Sequence, residues 1–329
     1  MPLFDLPLPS LESYRPAVHE PQFFDEFWSS TLAQAREHDG ELMLADAGWD
    51  LAQVSIRDVI FPGFGGHPIR GWYVRPRGVQ QALPCIVEVS GYGGGRGHAL
   101  ERTFWATAGY AHFFMDTRGQ GHGWGNGGDT PDPVGSGASA SGFMTRGIED
   151  PSDYYYRRVF TDAVRAVDAA RSLPGVDESA VFFSGASQGG GIALAVAGLA
   201  EGLAGVMADV PFLCHFERAV DITDEFPYGE IVKYLAVRRG DRTRVFETLS
   251  YFDGVNHAKR ATAPLLASVA LRDPVCPPST GYAAFNWYGD RAAHTPAKHM
   301  QVWHDNTHEG GAVHQLAQQL QFVRSIAQQ

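Results

Sequence analysis

The stretch Val181-Phe-Phe-Ser-Gly185-Ala-Ser187-Gln-Gly189-Gly-Gly-Ile-Ala193 runs from a short apolar segment, through Gly-x-Ser-x-Gly, into a helix-like segment. A sharp strand-to-helix turn requires that order. Such a turn strains the backbone of its central serine and brings neighbouring chain close, so glycines two before and two after remove clashes that a Cβ would cause. Ser187 would then stand at the carboxyl edge of a sheet, with the N–H groups of a helix N-terminus behind it. A motif this short also arises by chance, as a Gly-rich turn capping a helix with serine. Its flanks and its distant partners decide between the two.

The strand-like flank recurs along the chain. Cys85-Ile-Val-Glu-Val, His112-Phe-Phe-Met, Val181-Phe-Phe, Gly205-Val-Met-Ala, Leu265-Leu-Ala-Ser-Val and Met300-Gln-Val-Trp are short apolar runs suited to strands covered on both faces. Tyr154 to Ser172, Gly190 to Leu199 and Gly311 to Ile326 carry apolar residues at helical spacing. Their alternation predicts α/β layering, a mostly parallel central sheet flanked by helices. Val54 to Arg77 alternates with period two and is broken by Pro-Gly-Phe-Gly-Gly-His-Pro, which predicts an antiparallel N-terminal edge. Pro21 to Glu37 predicts an amphipathic helix with Phe23, Phe24, Phe27, Trp28 and Leu32 roughly on one side, part of a helical extension over about residues 1–50. Gly119 to Gly142 is rich in Gly, Ser, Asp and Pro without hydrophobic period and is read as a long, functional loop. Phe212 to Tyr251 is read as a helical insertion over the site. With 329 residues, no internal repeat and no linker, residues 1–329 are expected to form a single domain.

Hydrophobic residues make up 44% of the chain and charged residues 19%, a globular balance. No apolar run approaches the roughly 20 residues that span a bilayer, so no membrane partner is expected. A formal net charge of -11 argues against nucleic acid, whose phosphates are neutralised mainly by Lys and Arg. The opening residues MPLFDLPLPSLESYRP have neither a basic n-region nor an apolar h-region, so a cytoplasmic location is expected. Cys85, Cys214 and Cys276 are odd in number and lack CxxC spacing, which favours buried free thiols over disulfides or zinc.

A serine hydroxyl is a poor nucleophile at neutral pH. It needs an imidazole to take its proton and a carboxylate to fix that imidazole's tautomer, in the chain order Ser, Asp or Glu, His. Asp273 follows the strand-like Leu265 to Leu271 and precedes Pro-Val-Cys-Pro-Pro, where such an acid belongs. Asp273 could equally cap a helix, and Asp209 is a rival acid. His308 follows Met300 to Trp303 in His304-Asp-Asn-Thr-His308-Glu-Gly-Gly, where the base belongs, with His304 and the loop residue His122 as rivals. An oxyanion would be held by the N–H of Gln188 and by a second N–H from Ser90-Gly-Tyr92-Gly-Gly-Gly, for which Tyr92 is the candidate. No Gly-Lys-Ser/Thr follows those glycines, which counts against a phosphate-cradling loop. A metal site on His122, Asp129 or Asp132 lacks ligand spacing, and this chemistry requires no metal and no cofactor.

At GYGGGRG, DTRGQG, GFMTRGIEDPSDYYYRRVFTDAVRA, SGASQGGGIALAVAGLA, ADVPFLCHFERAV, TLSYFDGVNHAKRA, DPVCPPST and HEGG, from about residue 20 to the end, the chain resembles the acetyl xylan esterase and cephalosporin C deacetylase family of carbohydrate esterases. The resemblance implies the α/β-hydrolase fold. It also implies Ser187, Asp273 and His308 as the catalytic triad, Tyr92 and Gln188 as oxyanion donors, and Pro227 as a wall of the acyl pocket. It further implies a cytoplasmic homo-oligomer, commonly a hexamer, acting on small acetylated substrates. The loop His122 to Ser141 departs from the family pattern in its Gly and Ser content, and it is there that substrate range is open. The rival readings are a serine peptidase of the prolyl-oligopeptidase kind and a non-catalytic ligand-binding relative of the fold.

Overall fold

A computed structural model describes residues 3–38, 40–135 and 137–327. Among them, nine strands form one sheet: β1 (Met43–Asp46), β2 (Val54–Pro62), β3 (Pro68–Pro76), β4 (Leu83–Val89), β5 (Ala111–Met115), β6 (Val176–Ala186), β7 (Gly205–Asp209), β8 (Leu265–Ala270) and β9 (Lys298–Trp303). Their spatial order is β1-β2-β3-β5-β4-β6-β7-β8-β9. From β5 across to β9 every pairing is parallel. The first three strands and β5 pair antiparallel, and β2 and β3 form the expected hairpin, in register from Val54 opposite Pro76 to Pro62 opposite Pro68. The α/β architecture and its antiparallel N-terminal edge are therefore as the sequence pattern predicts.

Apolar runs without alternation reflect cover on both faces. Ile86, Phe182, Met207 and Leu266 point to one side, where Val323 of the terminal helix Ala312–Ala327 joins them. Their neighbours Val87, Phe183, Val206 and Ala267 point to the other, against helices Tyr155–Ser172 and Gln188–Leu199. The N-terminal helix is Phe24–Arg36, and it buries Phe24, Trp28, Thr31, Leu32 and Ala35. Phe23 is exposed rather than packed, because the helix begins one residue after it and turns it outward. Trp28 lies 5.8 Å from Phe160 and 5.4 Å from Phe252 between ring centres and donates its indole N–H to the Tyr251 carbonyl, which fastens the helix to the body.

Two elements escaped the sequence pattern. Strand β1, within the stretch expected to be helical, is largely exposed on both faces and so carries no alternation. Pro278–Trp287, to which the sequence pattern assigns no element, is a helix that starts on Pro278, a position where the missing N–H costs nothing. Phe212 to Tyr251 is helical as expected, in three pieces: Phe216–Ile222, Tyr228–Val237 and Arg242–Ser250.

Gly119 to Gly142 has no helix or strand among its described residues, yet it is tied down at several points. The Asp116 carboxylate accepts the N–H groups of Arg96, Asp129 and Thr130. Arg118 is fully buried and bidentate to Asp162, at 2.5 and 2.8 Å, while Asp132 lies between Arg118 and Arg158. Removing one member of a buried ion network strands its partner without compensation. Arg118→Met is expected to lower unfolding free energy by about 3–5 kcal/mol, read from urea denaturation. A change under about 1 kcal/mol would show that the loop is not anchored through this pair.

Candidate active site

The sheet's chain order reverses at β4, which has β5 on one side and β6 on the other. Crevices that bind ligands open at the carboxyl ends of strands at such a reversal. The Gly91 to Gly95 loop follows β4 and the Ser187 turn follows β6, so both face the same crevice. Ser187 has φ 57° and ψ -118°, a conformation that L side chains seldom adopt. Its N–H donates to the Asp209 carbonyl at 2.9 Å, and its own carbonyl accepts from Gly191 and Phe212. The surrounding glycines are sterically required. A Cβ on Gly185 would lie 2.4 Å from the Gly189 backbone, one on Gly189 would lie 2.7 Å from the Val89 carbonyl oxygen, and one on Gly191 would lie 2.1 Å from that of Phe212.

The structure brings together the three residues that the sequence could only place in order. Ser187 Oγ lies 2.9 Å from His308 Nε2, and His308 Nδ1 lies 2.8 Å from Asp273 Oδ2. Asp273 is fully buried, and its other oxygen accepts the N–H groups of Val275 and Cys276. Capping and facing the imidazole are thus divided between its two oxygens. A carboxylate only accepts, so Nδ1 of His308 carries the proton and Nε2 is free to accept from Ser187. The two loops are laced by Leu271 N–H to the Trp303 carbonyl and Arg272 N–H to the Asn306 carbonyl. Glu309 folds the histidine loop from below: its carboxylate accepts from Asn306, from the Thr307 N–H and from the Thr307 hydroxyl.

The rival residues are engaged elsewhere. His304 and His122 are exposed. Asp209 accepts from Gln315, Gln319 and Ser268, so it anchors the terminal helix that begins just after His308. Asp129 and Asp132 are partners of Arg96 and Arg158. Among the described residues the one three-donor cluster with metal-like spacing is Asp273, Cys276 and His308, whose donor atoms lie within 4.8 Å of one another. Burial pushes the Cys276 thiol well above its ordinary range, and the Asp273 charge adds to the effect, so the thiol beside Ser187 stays protonated and does not compete as a nucleophile. The three cysteines are free and buried, as expected.

Tyr92 and Gln188 flank Ser187 on its two sides. The position a Cβ on Gly91 would take is 3.8 Å from Ser187 Cβ, which brings the Tyr92 loop against the serine. Neither backbone N–H of Tyr92 or Gln188 donates to an acceptor among the described residues. The Gln188 side chain is buried beneath the turn. Its amide oxygen accepts from Gln120 at 2.8 Å and from the Tyr156 hydroxyl at 2.9 Å, while Gln120 accepts the Gly93 N–H at 2.7 Å. Gln120 lies within DTRGQG, and nothing in local pattern discloses a bridge between two loops 68 positions apart. Glu230 was likewise missed. Its carboxylate accepts from the Tyr92 hydroxyl at 2.5 Å and from the Met144 N–H, so helix Tyr228–Val237 braces the Tyr92 loop. Pro227 is buried at the start of that helix.

A serine, an imidazole and a carboxylate joined in this order at the carboxyl edge of a mostly parallel sheet define an α/β-hydrolase. Within that class, the chain belongs to the acetyl xylan esterase (AXE1) family, which matches residues 1–326 and whose members are carboxylic ester hydrolases. It is 38% identical to the solved acetyl xylan esterase from Paenibacillus sp. R4, covering 98% of this chain and 100% of that one with a TM-score of 0.89. Acetyl xylan esterase 1 from Thermoanaerobacterium sp. JW/SL YS485 is 31% identical, with 97% and 99% covered and a TM-score of 0.88. Acetyl esterase Axe7A of Xylanibacter ruminicola is 28% identical over 290 residues; the match takes in 84% of this chain but spans only 62% of that relative's length.

Asp209 offers a test of how the terminal helix is held. Burial pushes its carboxyl up to about 7, against about 3.9 in an unfolded chain. Between those values the folded state holds the extra proton, so this group's contribution to stability is present at low pH and is lost as pH rises toward 7. The unfolding free energy of the wild type should therefore fall, relative to that of Asp209→Asn, as urea titrations move from pH 4 to pH 7.5. A constant difference across that range would place the titration of Asp209 elsewhere.

Proposed function

We propose that the chain is a serine esterase that removes acetyl groups from small acetylated substrates, acetylated xylo-oligosaccharides and cephalosporin C-like acetates among them. The observation that carries the reading is the unbroken relay from Ser187 Oγ through His308 to Asp273, at 2.9 and 2.8 Å. His308 Nε2 takes the hydroxyl proton as Ser187 Oγ bonds to the acetyl carbonyl carbon. Charge then develops on the carbonyl oxygen, toward which the Tyr92 and Gln188 N–H groups donate. The Gln188 N–H opens the 12-residue helix Gln188–Leu199, whose dipole favours negative charge at that end. Collapse breaks the bond to the alcohol oxygen, which receives the proton from the imidazolium, and the acetyl group remains on Ser187. Water deprotonated by the same imidazole releases acetate and restores the serine.

Pro227 belongs to this proposal as a wall of an acyl pocket sized for acetyl. Its support is the family resemblance together with its burial at the head of the helix that braces Tyr92. A cytoplasmic homo-oligomer, of which the hexamer is the common family form, is proposed on the same resemblance, and a single domain over residues 1–329 on the chain's length and its lack of repeat and linker. Among the described residues no helix is long and apolar enough to cross a membrane.

A fluorophosphonate probe should label the protein at Ser187 and leave Ser187→Ala unlabelled. Nitrophenyl acetate turnover should fall by about 10⁴-fold or more in Ser187→Ala and by about 10⁴-fold in Asp273→Asn, where the imidazole loses its tautomer. Labelling at another residue, or full activity in Ser187→Ala, would refute the mechanism. Nitrophenyl octanoate should be a far poorer substrate than the acetate, and equal rates would remove the acetyl-sized pocket.

A further inference from the structure

The Gly119 to Gly142 loop carries one tryptophan, and that residue has no role in the relay. Trp124 is 56% exposed, a large area of apolar ring to leave in water, yet it is held in place. Its indole N–H donates to the Tyr92 carbonyl at 2.7 Å. The adjoining Gly123 N–H donates to the Gly93 carbonyl at 2.9 Å, which pins the backbone beside it to the same loop. One edge of the ring lies on the glycines of the Tyr92 loop, since a Cβ on Gly94 would fall 2.5 Å from Trp124 Cζ2. The position of a Cβ on Gly91 is 3.6 Å from that same ring carbon and 3.8 Å from Ser187 Cβ. The indole and the serine therefore border one small space, kept open because residue 91 has no side chain.

We propose that Trp124 is a platform for the sugar ring of the substrate: its open face receives the C–H face of a pyranose while an ester on that ring reaches Ser187. The inference rests on the esterase reading above and adds to it a preference for esters carried on a six-membered sugar ring. The electron-rich face of an indole attracts the slightly positive C–H hydrogens that line one side of a pyranose, and both surfaces shed water on contact. An acyclic alcohol offers no such face. Fixing the ring beforehand by its N–H and one edge removes much of the ordering cost of binding. The sequence hinted at this only through composition, because a glycine-rich loop has no pattern that says where its single large ring will lie.

The test compares xylose tetraacetate with ethyl acetate as substrates for the wild type, Trp124→Ala and Trp124→Phe. Trp124→Ala is expected to lose about 10-fold of its kcat/KM preference for the sugar ester. Trp124→Phe keeps a ring but not the N–H that holds Tyr92, so it should retain most of that preference whatever absolute rate it loses on both esters. An unchanged preference in Trp124→Ala, with both rates lowered together, would overturn the proposal and leave Trp124 as a brace for the Tyr92 loop. Binding supplies a second reading independent of turnover. Titrated with xylose tetraacetate, Ser187→Ala should bind about 10-fold more tightly than Ser187→Ala combined with Trp124→Ala, and equal affinities would also overturn the platform. If the wild type hydrolysed neither ester, the esterase reading would fall, and the binding titration would still decide whether Trp124 holds the ring.

Discussion

The backbone of Ser187, bent to φ 57° and ψ -118°, is the constraint on which the site depends. A residue is held in such a conformation only when its surroundings over-determine it. Here the Ser187 N–H is fixed by the end of β7, its carbonyl by Gly191 and Phe212, and its flanks by glycines against the end of β4. The strain is borne by the cooperativity of the sheet. In return, a short side chain is lifted clear of the strand end, where it can be approached from the crevice.

Around that turn the fold uses buried side chains to fix mobile-looking loops relative to one another. Gln120 and Gln188 join the segment after β5, the serine turn and the Tyr92 loop through hydrogen bonds, with Tyr155 and Tyr156 as further partners. Glu230 and Tyr92 join the same loop to the inserted helices. Buried polar groups without partners are costly, so a fully partnered network of this kind specifies one arrangement of loops that would otherwise have many. The N–H groups proposed to hold an oxyanion would gain from such fixing, because their alignment need not be found anew in each cycle.

Asp273 and His308 are positioned by different means. Asp273 is locked by its own loop, which it also caps, and so presents one oxygen with no freedom to turn away. His308 stands in a more exposed loop, fixed above by Asp273 and below by Glu309, and followed by a helix whose inner face is held to β7 through Asp209. Asp209, the rival acid in the sequence, thus serves the same site one step removed.

Much of this was legible in the chain. Two-sided strands are written as apolar runs, the hairpin as alternation broken by Pro and Gly, and the turn as glycines spaced about a serine, because each depends on contacts between near neighbours or on what one residue's backbone allows. Order along the chain also nominated Asp273 and His308. What it could not decide was whether His308 or His304 meets Ser187, whether Asp273 caps or faces an imidazole, and that Gln120, Glu230 and Trp124 border the site. Those questions turn on distances between residues dozens to more than a hundred positions apart, such as the 2.9 Å between Ser187 and His308. Only the packed sheet sets those distances, since loop ends that share no local pattern are brought side by side by the order in which the strands pair.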